Sequence, residues 1–176
     1  MSQAYRQVAW CIKKAQEEIA ECKKQGKKPK HRGLLKIKPS IDKAKGHIGK
    51  AERDLNVTEY LVKGGFGDAS IGSIFYTMYQ CFLAIAVKFG YESGNQICTI
   101  ALIGNLKEEG KINVDEKFIR YFKYGADGNI KESIIEMRED YTYGTDIMVD
   151  KSKIDFFIKE CRELIDITKE IIYQEK

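Results

Sequence analysis

Proline occurs only twice in 176 residues, as Pro29 and Pro39, and tryptophan only once. So few helix breakers, with Lys, Glu, Ile and Ala abundant, favour long uninterrupted helices. Histidine is nearly as scarce. His31 and His47 have no cysteine near them in sequence, which argues against a Cys/His zinc site, and no other metal-ligand pattern is present. No apolar run reaches the length of a bilayer span: the longest, 74–89, also carries Thr77, Tyr79, Gln80 and Lys88 and reads as a core helix. No charged and apolar N-terminal pattern suggests a signal peptide, so a cytoplasmic protein without a membrane segment is expected. The run Gly64-Gly65-Phe66-Gly67 lacks the Lys-Ser/Thr and strand–helix context of a phosphate loop. Five cysteines (11, 22, 81, 98 and 161) include no C-x-x-C pair and are odd in number. They fall in apolar helical patterns, so buried thiols in a reducing compartment are expected.

What is present is an ordinary globular composition, 43% hydrophobic and 32% charged, in a chain long enough for one domain. The net charge of +4 is concentrated in one place. Residues 23–38 (KKQGKKPKHRGLLKIK) hold seven lysines, one arginine and no acid; the other 22 basic residues face 26 acidic ones. The basic character is local.

Periodicity predicts a first helix over 3–25, with Ala4, Val8, Cys11, Ala15, Ile19 and Cys22 on one stripe. A linker through 39 follows, on which Leu34, Leu35 and Ile37 should dock against the body. Ser40 is a good N-cap for a second helix with Ile41, Ala44, Ile48, Ala51 and Leu55 facing inward, ended by Gly64-Gly65. A third helix, 68–89 with Asp68 as N-cap, is apolar on every side and should be surrounded. Ser93 or Asn95 starts a fourth, after which 114–124, 130–141 and 150–174 read as helices. Turns fall at 108–111, 125–129 and 144–148, and no strand pattern emerges. The fold class is all-α: an up-and-down bundle of four to five core helices over 40–176, with an added N-terminal helix and basic linker over 1–39.

Several signatures occur in a particular order. A Lys- and Ala-rich helix (41–55) precedes Asp68-Ala69-Ser70. Phe75-Tyr76 follows on the central helix, Phe89-Gly90-Tyr91 closes it, and Arg138-Glu139-Asp140-Tyr141 comes later. Over roughly 40–172 this order resembles the HEPN family of small helical domains linked to nucleotide and RNA chemistry. The resemblance implies a four- or five-helix bundle, commonly a two-fold homodimer, without a cofactor. Catalytic members cut RNA without metal, using an arginine followed four to six residues later by histidine. Others are inactive, or pair with a small nucleotidyltransferase as a toxin–antitoxin system. Arg138 matches the arginine; Tyr143 stands where the histidine would be, and Gln80 stands where relatives often carry another.

Removing a proton from a 2′-hydroxyl suits histidine, and stabilising phosphate charge suits arginine. A tyrosine is ionised only to about one part in a thousand at neutral pH. The expectation is therefore a non-catalytic module that binds nucleotide or RNA phosphates through Arg138, Asp140, Tyr141, Tyr76 and Gln80. Lys27, Lys28, Lys30 and Arg32 are candidates for nucleic-acid backbone contact, which without an aromatic residue in the segment should be sequence-independent and salt-sensitive. Two alternatives stand beside it: a weak metal-independent endoribonuclease using Arg138 and Tyr143, and a purely structural protein–protein interaction module. In the bland reading, Arg138 forms a structural pair with a neighbouring acid, His31 is a solvated linker residue and His47 a helix-surface residue.

Overall fold

The computed structural model describes residues 2–123 and 133–174. Its elements are α1 (Gln3–Lys24), β1 (Leu34–Lys36), α2 (Ile41–Lys63), α3 (Gly67–Lys88), β2 (Tyr91–Ser93), α4 (Gln96–Glu108), α5 (Glu116–Arg120), α6 (Ile134–Tyr143) and α7 (Lys151–Tyr173). The fold is an all-α helical bundle with α3 at its centre.

α3 is long and apolar enough to span a bilayer by composition, yet other helices cover most of it. Each side meets a different neighbour. Ser73 faces α2, where its Oγ accepts from the Thr58 hydroxyl at 2.8 Å. The backbone of Ile74 faces α7 through the Cys161 thiol, and Tyr79 meets Thr99 of α4 at 3.1 Å. Phe75 and Phe82 pack against Phe122, which follows α5. Ile71, Ile74, Met78, Phe82 and Ile85 have no exposed surface, so each contributes on the order of 2–3 kcal/mol of transfer free energy.

Local signals set the helix starts. Ser40, Asn95, Ser133 and Asp150 each accept a backbone N–H of the first turn that follows. α3 is the exception: it begins at Gly67 behind Phe66, which makes no side-chain cap, so Asp68 lies inside the first turn and is not the N-cap. Lys88 reaches the far end of α7, donating to the Ile171 and Ile172 carbonyls that have no partner within the helix. α7 matches its expected extent, and every residue from Ile154 to Ile171 expected on its buried side is buried.

Other expectations are corrected. The chain contains a short antiparallel ribbon, with Leu34 opposite Ser93, Leu35 opposite Glu92 and Lys36 opposite Tyr91. Three residues per strand are too few to show alternation. The ribbon forms because Gly90 turns at positive φ and lies against Ile37, whose backbone a Cβ at position 90 would crowd at 2.9 Å. α5 is one short turn rather than a helix over 114–124, although Val114 and Phe122 are buried. α6 starts at Ile134; the expected helical start at 130 and the loop at 125–129 lie outside the described residues.

The largest correction concerns the cysteines. Cys11 of α1 and Cys98 of α4 form a disulfide across 87 residues. Spacing on separate apolar stripes identified both as buried but not as neighbours. The bond fastens α1 to α4, so the added helix is covalently tied to the bundle. Cys81 and Cys161 are buried free thiols, and Cys22 is partly exposed. Burial pushes the Cys81 thiol up to about 12, against a smaller opposing effect of the Thr168 hydrogen bond. Burial also raises Cys161 well above the ordinary range, reinforced by Cys81 and Glu160.

Two outcomes are expected. Cys11→Ser should lower the thermal midpoint by roughly 5–15 °C, the equivalent of about 2–5 kcal/mol for a loop of this length; a calorimetric scan checks it, and an unchanged midpoint would rule out the tie as a stabilising element. Native maleimide treatment should add one adduct by mass, at Cys22, with Cys81 and Cys161 reacting only after denaturation.

Candidate binding site

Arg138 sits on α6 with its guanidinium carbon 4.3 Å from the centroid of the Phe75 ring, a cation–π contact between α6 and α3. The ring beneath it is held from behind. Tyr79 stacks on Phe75 at 5.8 Å with 20° between planes, and Phe122 lies against it at 5.4 Å. Tyr79 is fixed in turn by its hydroxyl contact with Thr99, which donates to Ser93 Oγ at 2.7 Å. Burial raises the Tyr79 phenol, outweighing the hydrogen bonds to Thr99 and Ser93 that lower it, so this phenol stays neutral. Tyr76 stands edge-on to Phe75 at 5.2 Å and is half exposed.

The Arg138 side chain retains 23% exposure, and its only described carboxylate neighbour is Glu139, at 3.7 Å. The structural pair expected for this arginine thus exists in a loose form. The aromatic contact is the closer restraint.

The predicted site residues do not converge on one point. Tyr141 shares the arginine's side of α6, but its hydroxyl donates to the Met148 carbonyl at 3.3 Å and braces the α6–α7 loop. Tyr143 is 83% exposed and stands roughly 140° around the helix from Arg138. Asp140 is exposed and, with Glu139, Tyr141, Tyr143, Gly144, Thr145 and Asp146, lines a shallow depression of about 590 Å³. Gln80 is buried and faces α2, where its Oε1 lies 2.7 Å from His47 Nδ1. It is roughly 140° around α3 from Phe75 and so cannot reach the Arg138 platform. His47 is therefore half-buried and partnered rather than a bare surface residue. His31 is corrected too: its side chain is only 9% exposed and lies 3.3 Å from Glu92 of the ribbon.

No imidazole shares the Arg138 neighbourhood, and no cluster of metal-ligating groups occurs among the described residues. The surroundings of Arg138 offer an acidic depression and a flat cation on an aromatic face. That arrangement can stack against a planar group. It supplies no imidazole; Glu139 is the carboxylate beside the guanidinium.

A second feature is the basic segment. Lys23, Lys24, Lys27, Lys28, Lys30, Arg32, Lys36 and Lys38 are all exposed, and none makes an ion pair among the described residues. The backbone that carries them is clamped. After α1 the chain doubles back along it: the Cys22 thiol donates to the Lys30 carbonyl, and the Arg32 N–H donates to the Glu18 carboxylate. Cys98 Sγ lies 4.0 Å from the Arg32 carbonyl oxygen, and Gly33 fits against the Cys11 backbone where any Cβ would collide. Leu34 then buries completely, as expected of it, while Leu35 and Ile37 are half-buried. Lys23 and Lys24 also complement the C-terminal end of α1. Glu18 and Glu92 are the acids nearest this strap by these contacts, and they offset only part of its charge.

One polar group carried no sequence expectation. Glu160 is buried on α7, where it accepts from the Tyr121 hydroxyl at 3.0 Å and pairs with Lys117 at 3.0 Å. Burial disfavours the Lys117 ammonium, but its hydrogen bonds to Glu163 and Glu160 outweigh that and raise its pKa. An acid on the same stripe as Phe157 and Leu164 was the available signal. Its partners are structural, locking α5 to α7. A cleft of about 540 Å³ lies between the start of α1, α4 and α5; its two lysines, Lys107 and Lys123, both pair with Glu116.

The protein is an all-α bundle with a clamped basic strap. A scan against protein-family models finds no match for this chain, and a search of curated proteins finds none.

Arg138→Ala should cost about 1 kcal/mol of stability through loss of the ring contact, with Arg138→Lys restoring only part of it. Tyr143→Phe should leave stability unchanged. Urea titrations of the three variants provide the check.

Proposed function

We propose that this chain is a HEPN-like helical domain that binds RNA phosphates without cutting the chain, with the basic strap over 23–38 as its principal contact surface. The observation carrying this reading is the set of eight exposed cations, without ion pairs among the described residues, on a backbone held by Leu34, the ribbon and the Cys11–Cys98 disulfide. A strap fixed in advance loses less conformational entropy on binding than a mobile tail of the same charge. Phosphate neutralisation then supplies affinity through release of counterions and carries no base preference.

Lys27, Lys28, Lys30 and Arg32 are the central contacts. Arg138 takes a lesser part: its stacked guanidinium beside Tyr76 offers a surface for a base, while the carboxylates around it disfavour phosphate. The ribonuclease alternative, Arg138 with Tyr143, is weakened by the wide angle between the two side chains on α6. On the same reading the domain forms a homodimer and could serve with a nucleotidyltransferase partner in a toxin–antitoxin arrangement; the ordered motifs support this part alone.

Anisotropy of a fluorescent single-stranded RNA tests the proposal. Affinity should fall steeply with salt and be similar for different base compositions. Replacing Lys27, Lys28, Lys30 and Arg32 with Gln should weaken binding by roughly tenfold or more at low salt and flatten the salt dependence. The RNA should remain intact after incubation in chelator. Equal binding by the fourfold variant would reject the strap, and cleavage lost in Arg138→Ala would reject the non-catalytic reading.

A further inference from the structure

Trp10 is the single tryptophan of the chain, and 56% of its surface is exposed on the outer side of α1. A lone exposed aromatic residue is common on protein surfaces. This one differs in what lies beside it. The Lys14 ammonium, one helical turn on, stands 5.1 Å from the ring centroid in a cation–π contact. Gly33 of the strap fits against the carbonyl of Cys11, the residue next to Trp10. The Arg32 N–H then bonds to Glu18, about two turns further along the same helix. At about 100° per residue, Lys14 lies about 40° from Trp10 toward the Cys11 side, so it stands between the indole and the strap. The segment 23–38 holds no aromatic residue of its own. By folding back along α1, it gains one from the residues before it.

Charge around the indole favours a polyanion. Residues 3–38 hold eleven lysines and arginines against three glutamates. Each glutamate is engaged: Glu17 pairs with Lys13 at 3.7 Å, Glu18 accepts the Arg32 N–H, and Glu21 accepts from the Gln25 side chain at 2.7 Å. Beyond α1 and the strap, Glu92 of β2 lies beside His31. In the cleft at the start of α1, Glu108 and Glu116 are matched by Lys107 and Lys123. Arg6, exposed one turn before Trp10, and Lys13 and Lys14 carry the cationic surface of the strap past the indole. An indole offers a flat face to any base, so contact of this kind tolerates sequence. In a duplex those base faces are covered by neighbouring base pairs; in a single strand they can splay onto an aromatic side chain. Phosphate contacts alone do not require that distinction, since both forms carry the charge.

We infer that Trp10 is a base-stacking residue beside the strap, and that it makes this surface select single-stranded over double-stranded RNA. Lys14 covers one face of the indole, and the base takes the other. This selection rests on the phosphate binding proposed for the strap and adds to it the conformation of the RNA. The strap supplies affinity for the backbone; the indole supplies the preference for unpaired bases.

Because the chain has one tryptophan, the intrinsic fluorescence of the full chain reports on Trp10 directly. The probes are an unstructured RNA of roughly 12 nucleotides and the same strand annealed to its complement. Saturation with the single strand should quench the emission, whereas the duplex, held through phosphates, should leave it nearly unchanged. By anisotropy, Trp10→Ala should weaken the single strand roughly tenfold and leave duplex affinity as it was. Trp10→Phe, which keeps a smaller aromatic face, should recover part of the loss. Tyr60→Ser, at an exposed aromatic on α2, should change neither affinity, and circular dichroism should report unchanged helix content in every variant. The fourfold Gln variant of the strap should weaken both RNAs alike, which separates the two roles. Single-strand binding with unchanged tryptophan emission, or equal loss of both RNAs in Trp10→Ala, overturns the role of Trp10 and leaves that of the strap. Binding of neither RNA overturns both. Self-association of the wild type that Trp10→Ala abolishes would also overturn the stacking role, because the indole would then serve a protein contact.

Discussion

Burial of α3 on nearly all sides is the constraint to which the rest of the fold answers. A helix carrying Ile71, Ile74, Phe75, Met78, Phe82 and Ile85 cannot leave any of those faces in water without losing several kcal/mol, so neighbours are required all round it. α2 lies alongside through the tight turn before Gly67, α7 returns along a third side, and the Phe122 region and α6 close the aromatic face. The polar residues left on α3 are compatible with this because each finds a partner: Ser73 with Thr58, Gln80 with His47, Tyr79 with Thr99. No buried side-chain polar atom among the described residues lacks a hydrogen bond.

Arg138 follows from the same constraint. Its cation rests on Phe75 because that ring belongs to the crowded helix and is immobilised by Tyr79 and Phe122. The guanidinium lies on the ring face with the Glu139 carboxylate 3.7 Å away and no imidazole beside it. The clamped strap arises differently. A lysine-rich segment on its own would be solvated and mobile, but Leu34, the two-strand ribbon and the disulfide beneath Gly33 convert it into a surface feature. Cations gather along the strap over 23–38, while Glu139, Asp140 and Asp146 lie around the end of α6.

Much of this architecture is legible in the order of residues alone. Three- and four-residue spacing locates the long helices, because an apolar stripe repeated over five or six turns fits no strand or loop. Ser40 and Asn95 mark starts because their oxygens satisfy backbone donors that the helix leaves open. Where the signal covers less than two turns it fails: Asp68 as a cap, the extent of α5, and the ribbon. Long-range pairing is equally out of reach. Nothing in the spacing of Cys11 and Cys98, or of Gln80 and His47, encodes which stripe faces which.

The amino-acid sequence by itself therefore determined the class of fold, the central helix and the local concentration of positive charge, because periodicity and composition are properties of neighbouring residues. Tertiary structure alone decided that Arg138 lies on Phe75, that Gln80 turns away from it, and that the basic segment is held rather than loose. Each of these depends on how helices are placed against one another. That placement is set by packing over the whole core, which no single stretch of chain contains.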